Sequence, residues 1–231
     1  MPFIDRDDAG LQLAKALARY KDRKPVVLAL PRGGVPVAAK VAELLRAPLD
    51  LLLVRKIGVP FQPELAMGAV VDGVSPLTVR NEEVISIAGV SEQEFSAIRD
   101  RELSEIERRR KFYLGNRPHP ELAAHTVIVV DDGIATGSTV CAALRAVRLR
   151  RPSTLVLAVP VAPTDTLRKL AGEADDIVCL EDYEAFGAIG VYYSDFRQVS
   201  DGEVIEVLAR HPVKGMALPS REHPMVDLRQ S

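Results

Sequence analysis

The stretch from Thr126 to Thr139, TVIVVDDGIATGST, constrains the fold of this chain more than any other. Thr126 to Val130 is a short β-branched run closed by Gly133, the signature of a buried strand. From Ser138 the apolar period changes, with Val140, Leu144 and Val147 falling at i, i+4 and i+7 on one face of a helix. Between strand and helix the chain must double back tightly. Gly133 and Gly137 permit positive φ there and let a ligand approach the backbone. The first amides of the helix lack intrahelical partners and the helix dipole adds positive potential, so this turn predicts an anion site suited to phosphate. Thr136, Ser138 and Thr139 add hydroxyl donors.

Asp131 and Asp132 sit at the carboxyl end of that strand. Two carboxylates beside a phosphate cradle repel a second phosphate but suit neutral diols, or a metal. A ligand with a phosphate at one end and vicinal hydroxyls nearby is a ribose 5-phosphate. The whole string, an apolar strand, two acidic residues and then x-x-A-T-G-S-T, resembles the phosphoribosyl-pyrophosphate (PRPP) signature of the class I phosphoribosyltransferases.

The rest of the chain reads as an α/β protein. A first helix is expected over Asp8 to Tyr20, capped by Asp7 or Asp8. Continuous apolar runs predict buried parallel strands at Val26–Leu30, Leu49–Val54, Thr154–Pro160 and Ile177–Leu180. A helix with Val37, Val41, Leu44 and Leu45 on one face joins the first two, a β-α-β unit with a right-handed crossover. Ile57 to Glu64, with one glycine and two prolines, has no period and reads as a loop. Leu65–Val71 and Leu77–Arg80 resemble a hairpin. Ser91-x-x-Glu94 is a capping box opening a long helix to about Tyr113, with Phe95, Ile98, Leu103 and Ile106 as its buried stripe. Its basic end, Arg108 to Lys111, alternates with acidic residues upstream and reads as a solvated face favoured by the helix dipole. Ser200-x-x-Glu203 is a second capping box, opening a last helix.

The expected fold is therefore an open, mostly parallel sheet flanked by helices, phosphoribosyltransferase-like, with a hairpin-and-helix insertion and a small C-terminal hood. Residues 1–211 form one domain in this reading, 181–211 the hood, and 212–231 a tail with three prolines and no periodicity.

The resemblance adds roles to other strand ends. Arg32, Gly33 and Gly34 fall where the family places its pyrophosphate loop. Arg55 and Lys56 are similar to the Arg-Lys pair of the adenine and orotate branches, where cations offset charge on departing pyrophosphate. Ile57 to Glu64 sits where the family keeps a mobile flap, with Glu64 as a flap carboxylate. Ala135 stands where the hypoxanthine and guanine branch has an Asp, which points away from oxopurines. The resemblance implies that Ala135, Thr136, Gly137, Ser138 and Thr139 hold the 5-phosphate and that Asp131 and Asp132 hold the ribose hydroxyls. Catalysis is then expected to rest on Asp131, Asp132, Arg55 and Lys56. Ile134 on one side and Tyr192, Tyr193 or Phe196 on the other would pack against the acceptor base, and Asp195 would read an amine edge. The implied cofactor is Mg²⁺, carried on PRPP rather than held directly, with Asp131 and Asp132 reaching it through water. A homodimer is expected by the same resemblance, and a role in nucleotide metabolism.

Composition narrows the classes. The chain has 231 residues, 47% hydrophobic and 27% charged, with net charge −2. That supports one sizeable core and argues against a nucleic-acid partner. No apolar segment approaches a membrane span, and a cytoplasmic protein is the default expectation. Cys141 and Cys179 read as small core residues without metal-ligand spacing. The four histidines avoid every motif, and His119 and His125 read as surface residues. The leading expectation is transfer of a phosphoribosyl group from PRPP to a nitrogenous base. Its rivals are a PRPP- or nucleotide-binding regulator without turnover and, less well supported, a phosphohydrolase.

Overall fold

The computed structural model describes residues 3–73 and 76–213. The expected tail from 214 onward, and Val74 and Ser75 in the turn after Asp72, lie outside the described residues. The central sheet is built from β1 (Pro25–Ala29), β2 (Leu49–Leu51), β6 (Thr126–Val130), β7 (Thr154–Pro163) and β8 (Asp176–Tyr183) in the order β2-β1-β6-β7-β8. Every pairing is parallel and β6 lies at the centre, with Val127 opposite Val26 on one side and Leu155 on the other.

A parallel sheet must be covered on both faces, and strand alternation shows how. Val27, Ala29, Ile128 and Val130 face one core with α1 (Arg6–Ala16), α2 (Gly34–Leu45) and α7 (Asp201–Arg210). Val26, Leu28, Val127 and Val129 face the other, under α5 (Ser138–Arg148) and Leu170 of α6 (Thr164–Leu170). Val140, Leu144 and Val147 are all buried, so the predicted stripe of α5 is the face that meets the sheet. Each such side chain contributes about 1.5–3 kcal/mol relative to exposure.

Between β2 and β6 the chain leaves the central sheet. β3 (Val54–Val59), β4 (Gln62–Val71) and β5 (Leu77–Arg80) form a second, antiparallel sheet, followed by α3 (Glu82–Ile87) and α4 (Glu92–Leu114). This corrects two expectations. Ile57 to Glu64 is not an aperiodic loop; β3 and β4 run through it as a hairpin turning at Pro60-Phe61, with register shifts around Gly58. A side chain at Gly58 would meet Pro63 backbone 2.4 Å away, so glycine is what lets the two strands close here. Likewise Arg55 and Lys56 do not end a central strand. β2 stops at Leu51 and the pair lies inside β3. The first helix also starts earlier than expected, at Arg6, with Asp5 as its cap accepting from the Asp8 amide.

Both capping boxes are formed, at Ser91/Glu94 and Ser200/Glu203. The hood contains the 3-10 turn Ile189–Tyr192 and is tied to the chain's start. Phe3 N–H donates to the Tyr192 carbonyl (2.8 Å) and Ser194 N–H to the Phe3 carbonyl (2.7 Å). Among the described residues, no helix is long and apolar enough to cross a membrane.

Candidate active site

The predicted strand–turn–helix is present as drawn. β6 ends at Val130, Asp131 and Asp132 follow, and α5 opens at Ser138 with Gly137 as its N-cap at φ +78°. The loop has little freedom. The Ile134 amide donates to the Val161 carbonyl (3.0 Å), and Thr166 Oγ1 to the Ala135 carbonyl (3.1 Å). Gly133 lies against the hood: a Cβ there would sit 2.6 Å from Ile189 Cγ2. Ala135, Thr136, Ser138 and Thr139 are exposed, and Thr136 to Thr139 line a cavity of about 320 Å³ roofed by Lys56 and Arg80 of the second sheet. Amides at a helix start, the Thr136, Ser138 and Thr139 hydroxyls and the cations Lys56, Arg80, Arg145 and Lys169, with Glu173 as the one carboxylate of the lining, make an anion-accepting site.

Asp131 and Asp132 diverge. Asp131 opens into a smaller cavity of about 140 Å³ that it shares with Pro31, Arg55, Arg109 and Thr139. Burial, and then the neighbouring Asp132 charge, raise its pKa well above the ordinary carboxylate range. Asp132 turns the other way and is only 8% exposed. Its Oδ2 accepts from Arg6 Nε (2.7 Å), while its backbone carbonyl accepts from the Tyr193 hydroxyl (2.6 Å). The carboxylate also lies directly on Gly33, where a Cβ would come 2.1 Å from Oδ2. Gly34 is as tight, its Cβ position 2.8 Å from the Val130 carbonyl oxygen. The two glycines therefore let the 31–34 turn lie on the acidic strand end. The Pro31–Arg32 peptide is cis.

Of the predicted residues, the structure gathers Arg32–Gly34, Arg55, Asp131 and the 135–139 turn at the carboxyl end of β1 and β6, the place where open α/β sheets bind ligands. Each predicted cation has a partner. Arg32 pairs with Asp201 (3.4 Å), Arg55 with buried Glu102 (2.8 Å), and Lys56 with Glu64 (3.1 Å), whose side chain is 94% exposed. The residues expected on the two sides of an acceptor base, Ile134 and the hood aromatics, are mostly engaged in packing of their own. Ile134 is buried beneath the turn in the core. Tyr193 is 5% exposed, packed between Phe3 and Phe196, and has no free ring face. Phe196 is covered by the Arg6 guanidinium 3.9 Å from its ring centre. Tyr192 stacks between Tyr183 and Phe186 and stays half-buried. The Asp195 carboxylate accepts from the Arg197 amide.

Arg6 is a residue that sequence reasoning missed: a single arginine opening the first helix, whose partner lies 126 positions away. His119 was misread. It is not a surface residue: its Nδ1 lies 2.7 Å from buried Asp50, with Asp72 at 3.9 Å from Nε2, and its pKa is raised, chiefly by that hydrogen bond. Cys141 and Cys179 are half-buried and pack against the core on the α5 side of the sheet, and both thiol pKa values are raised by burial.

The chain is similar to known proteins over most of its length. The model of the phosphoribosyl transferase domain family matches residues 4–197. Two Mycobacterium tuberculosis proteins, MT0597 of strain CDC 1551 and Rv0571c of strain H37Rv, are each 45% identical over 208 residues, 90% of this chain. Both are provisionally named phosphoribosyl transferases, and the chain spans 46% of their length. The crystal structure of TT1426 from Thermus thermophilus superposes with a TM-score of 0.77 at 39% identity, covering 92% of this chain and all of that one. The matched span holds the whole central sheet and both glycine turns, and on that ground this chain belongs to the phosphoribosyl transferase domain family.

Proposed function

We propose that the chain transfers the 5-phosphoribosyl group of PRPP to a nitrogenous base and releases pyrophosphate. The observation that carries the proposal is the placement of Asp131. It lines a cavity with Pro31, Arg55 and with Thr139 from the amide-rich turn, and its carboxylate lies close against Gly34. A phosphate in the 135–139 turn puts the ribose beside Asp131 and the pyrophosphate toward the arginines.

In the reaction the bond from C1 of the ribose to the pyrophosphate oxygen breaks, and pyrophosphate leaves with the electron pair. A base nitrogen supplies the pair for the new C1–N bond and loses its proton to solvent or a neighbouring acceptor. Asp131, once ionised, accepts hydrogen bonds from ribose hydroxyls and favours positive charge developing on the ring. Arg55 and Arg32 stabilise the leaving group as charge-assisted donors. Asp132 acts from beneath, holding Gly33 and the hood in register rather than touching the sugar.

Magnesium would enter this site on the substrate, carried by PRPP. Among the described residues no group of three or more His, Cys, Asp or Glu side chains could hold an ion. Asp131 is the single carboxylate lining the smaller cavity and would reach the water shell of an ion carried by PRPP. Such an ion would offset the charge of the pyrophosphate.

A second reading, binding without turnover, draws on the paired state of the cations. Arg32, Arg55 and Lys56 each already hold a carboxylate, so a ligand must displace or share those partners. A pyrophosphate-release screen with PRPP, Mg²⁺ and a panel of purine, pyrimidine and amide acceptors separates the two. Transfer predicts release with at least one acceptor and its loss in Asp131→Asn. The regulator predicts PRPP binding with no release.

A further inference from the structure

The run Arg108 to Lys111 looks uniform in sequence, but the helix divides it. Arg108 is the outward member, its side chain 66% exposed, held by Glu105 at 2.8 Å. Lys111 also faces out and pairs with Glu107. Arg110 turns toward Asp72, 4.0 Å away. Arg109, paired with Glu105 at 2.7 Å and 38% exposed, lines the small cavity with Pro31, Arg55, Asp131 and Thr139.

The rest of α4 explains why Arg109 arrives there. Phe95, fully buried, pins the first half of the helix, and a side chain at Gly68 of the second sheet would meet its ring at 3.4 Å. Glu102, about two turns further on, fixes Arg55 at 2.8 Å. Beyond Arg109, the Tyr113 hydroxyl donates to Asp201, the same carboxylate that holds Arg32. The Asp201 pKa is lowered chiefly by the Tyr113 hydrogen bond, and the charges of Arg32 and Arg109 both add to the effect. One helix thus anchors or lies beside both arginines of the proposed pyrophosphate side and adds its own guanidinium to the same cavity.

We infer that Arg109 is a direct ligand of the substrate's diphosphate, a third guanidinium that lines the Asp131 cavity together with Arg55. The inference rests on the PRPP reading of the cleft and adds a group from the insertion, outside every motif of the central sheet. A planar fork beside a diphosphate binds two oxygens at once, which an ammonium cannot do. Glu105 holds the fork in place before the ligand arrives, at the modest strength of a part-exposed pair that a diphosphate can outcompete.

Arg108 is the internal control, since it shares Glu105 and differs in the face it occupies. The experiment is calorimetric titration of the full chain with magnesium pyrophosphate, PRPP and ribose 5-phosphate, for wild type, Arg109→Gln, Arg109→Lys and Arg108→Gln. Arg109→Gln is expected to weaken pyrophosphate and PRPP about tenfold or more, the size of one charged hydrogen bond, and to leave ribose 5-phosphate within about twofold. Arg109→Lys should recover part of the loss and Arg108→Gln should show none. Wild-type binding of PRPP and pyrophosphate that Arg109→Gln leaves unchanged overturns the inference alone. So does an equal loss of ribose 5-phosphate, or an equal loss in Arg108→Gln. A wild type that binds neither PRPP nor pyrophosphate overturns the cleft reading and the inference with it.

Discussion

Replacing Arg6 by leucine tests whether Asp132 is a buried hub or a sugar-binding carboxylate. Arg6 and Asp132 have side chains only 10% and 11% exposed, and they meet at 2.7 Å. Arg6 also donates to the Arg197 carbonyl (2.7 Å) and covers the Phe196 ring. Removing one partner of a buried pair leaves an uncompensated charge, a cost of about 3–5 kcal/mol. Leucine retains some packing on Phe196, so the lower end of that range applies, about 3 kcal/mol. Asp132→Asn should cost less, about 1–2 kcal/mol, because Arg6 is long, keeps its bond to Arg197 and can turn toward solvent. In the double variant neither charge is stranded, and the losses should fall short of additivity by about 1–3 kcal/mol. The chain contains no tryptophan, so urea unfolding is followed by far-ultraviolet circular dichroism. With a slope of about 2 kcal/mol per molar, Arg6→Leu shifts the midpoint down by about 1.5 M. A loss below about 1 kcal/mol for Arg6→Leu, or single losses that simply add, would refute the hub.

Other outcomes follow from the same geometry. Gly33→Ala places a methyl on the Asp132 carboxylate, and thermal melts should show overpacking of about 1–3 kcal/mol, whereas Gly172→Ala, with nothing within 4 Å, should not destabilise. The raised pKa of Asp131 means the ligand-free site holds a proton above the usual carboxylate range. PRPP affinity should therefore rise as pH climbs through that transition, and Asp131→Asn should leave only the substrate's own titration. His119 lies against Asp50 and Asp72, with Arg110 close by, and its folded pKa lies above the unfolded value of about 6.5. Its contribution is complete below about pH 6.5 and is lost as pH rises through the folded pKa. Urea unfolding of wild type should thus weaken across that interval relative to His119→Gln, in which the decline is absent.

The part of the site carried by local rules was readable in the sequence. The β6–turn–α5 unit, both capping boxes and the 31–34 turn depend on residues within a few positions of one another, where period and φ preference act directly. The hairpin between Val59 and Gln62 was hidden because Gly58, Pro60 and Pro63 read as breakers while serving a tight antiparallel turn. Long-range partners were out of reach. Nothing near Arg6 announces Asp132, nothing near His119 announces Asp50, and nothing within the run Arg108 to Lys111 marks Arg109 as the member facing the cleft. The adjacency of Asp131 and Asp132 suggested a shared task. After the strand the two side chains leave on different sides, and only one reaches the cavity.

The central claim is that the turn after β6 grips a phosphate while Asp131 alone holds the attached sugar. Calorimetric titration with ribose 5-phosphate, without pyrophosphate or acceptor, tests it most directly when wild type, Asp131→Asn and Ser138→Ala are run side by side. The account predicts saturable binding by wild type, weakened about 10- to 100-fold in Asp131→Asn and more mildly in Ser138→Ala. Equal affinity in wild type and Asp131→Asn, or no binding to wild type, would contradict it.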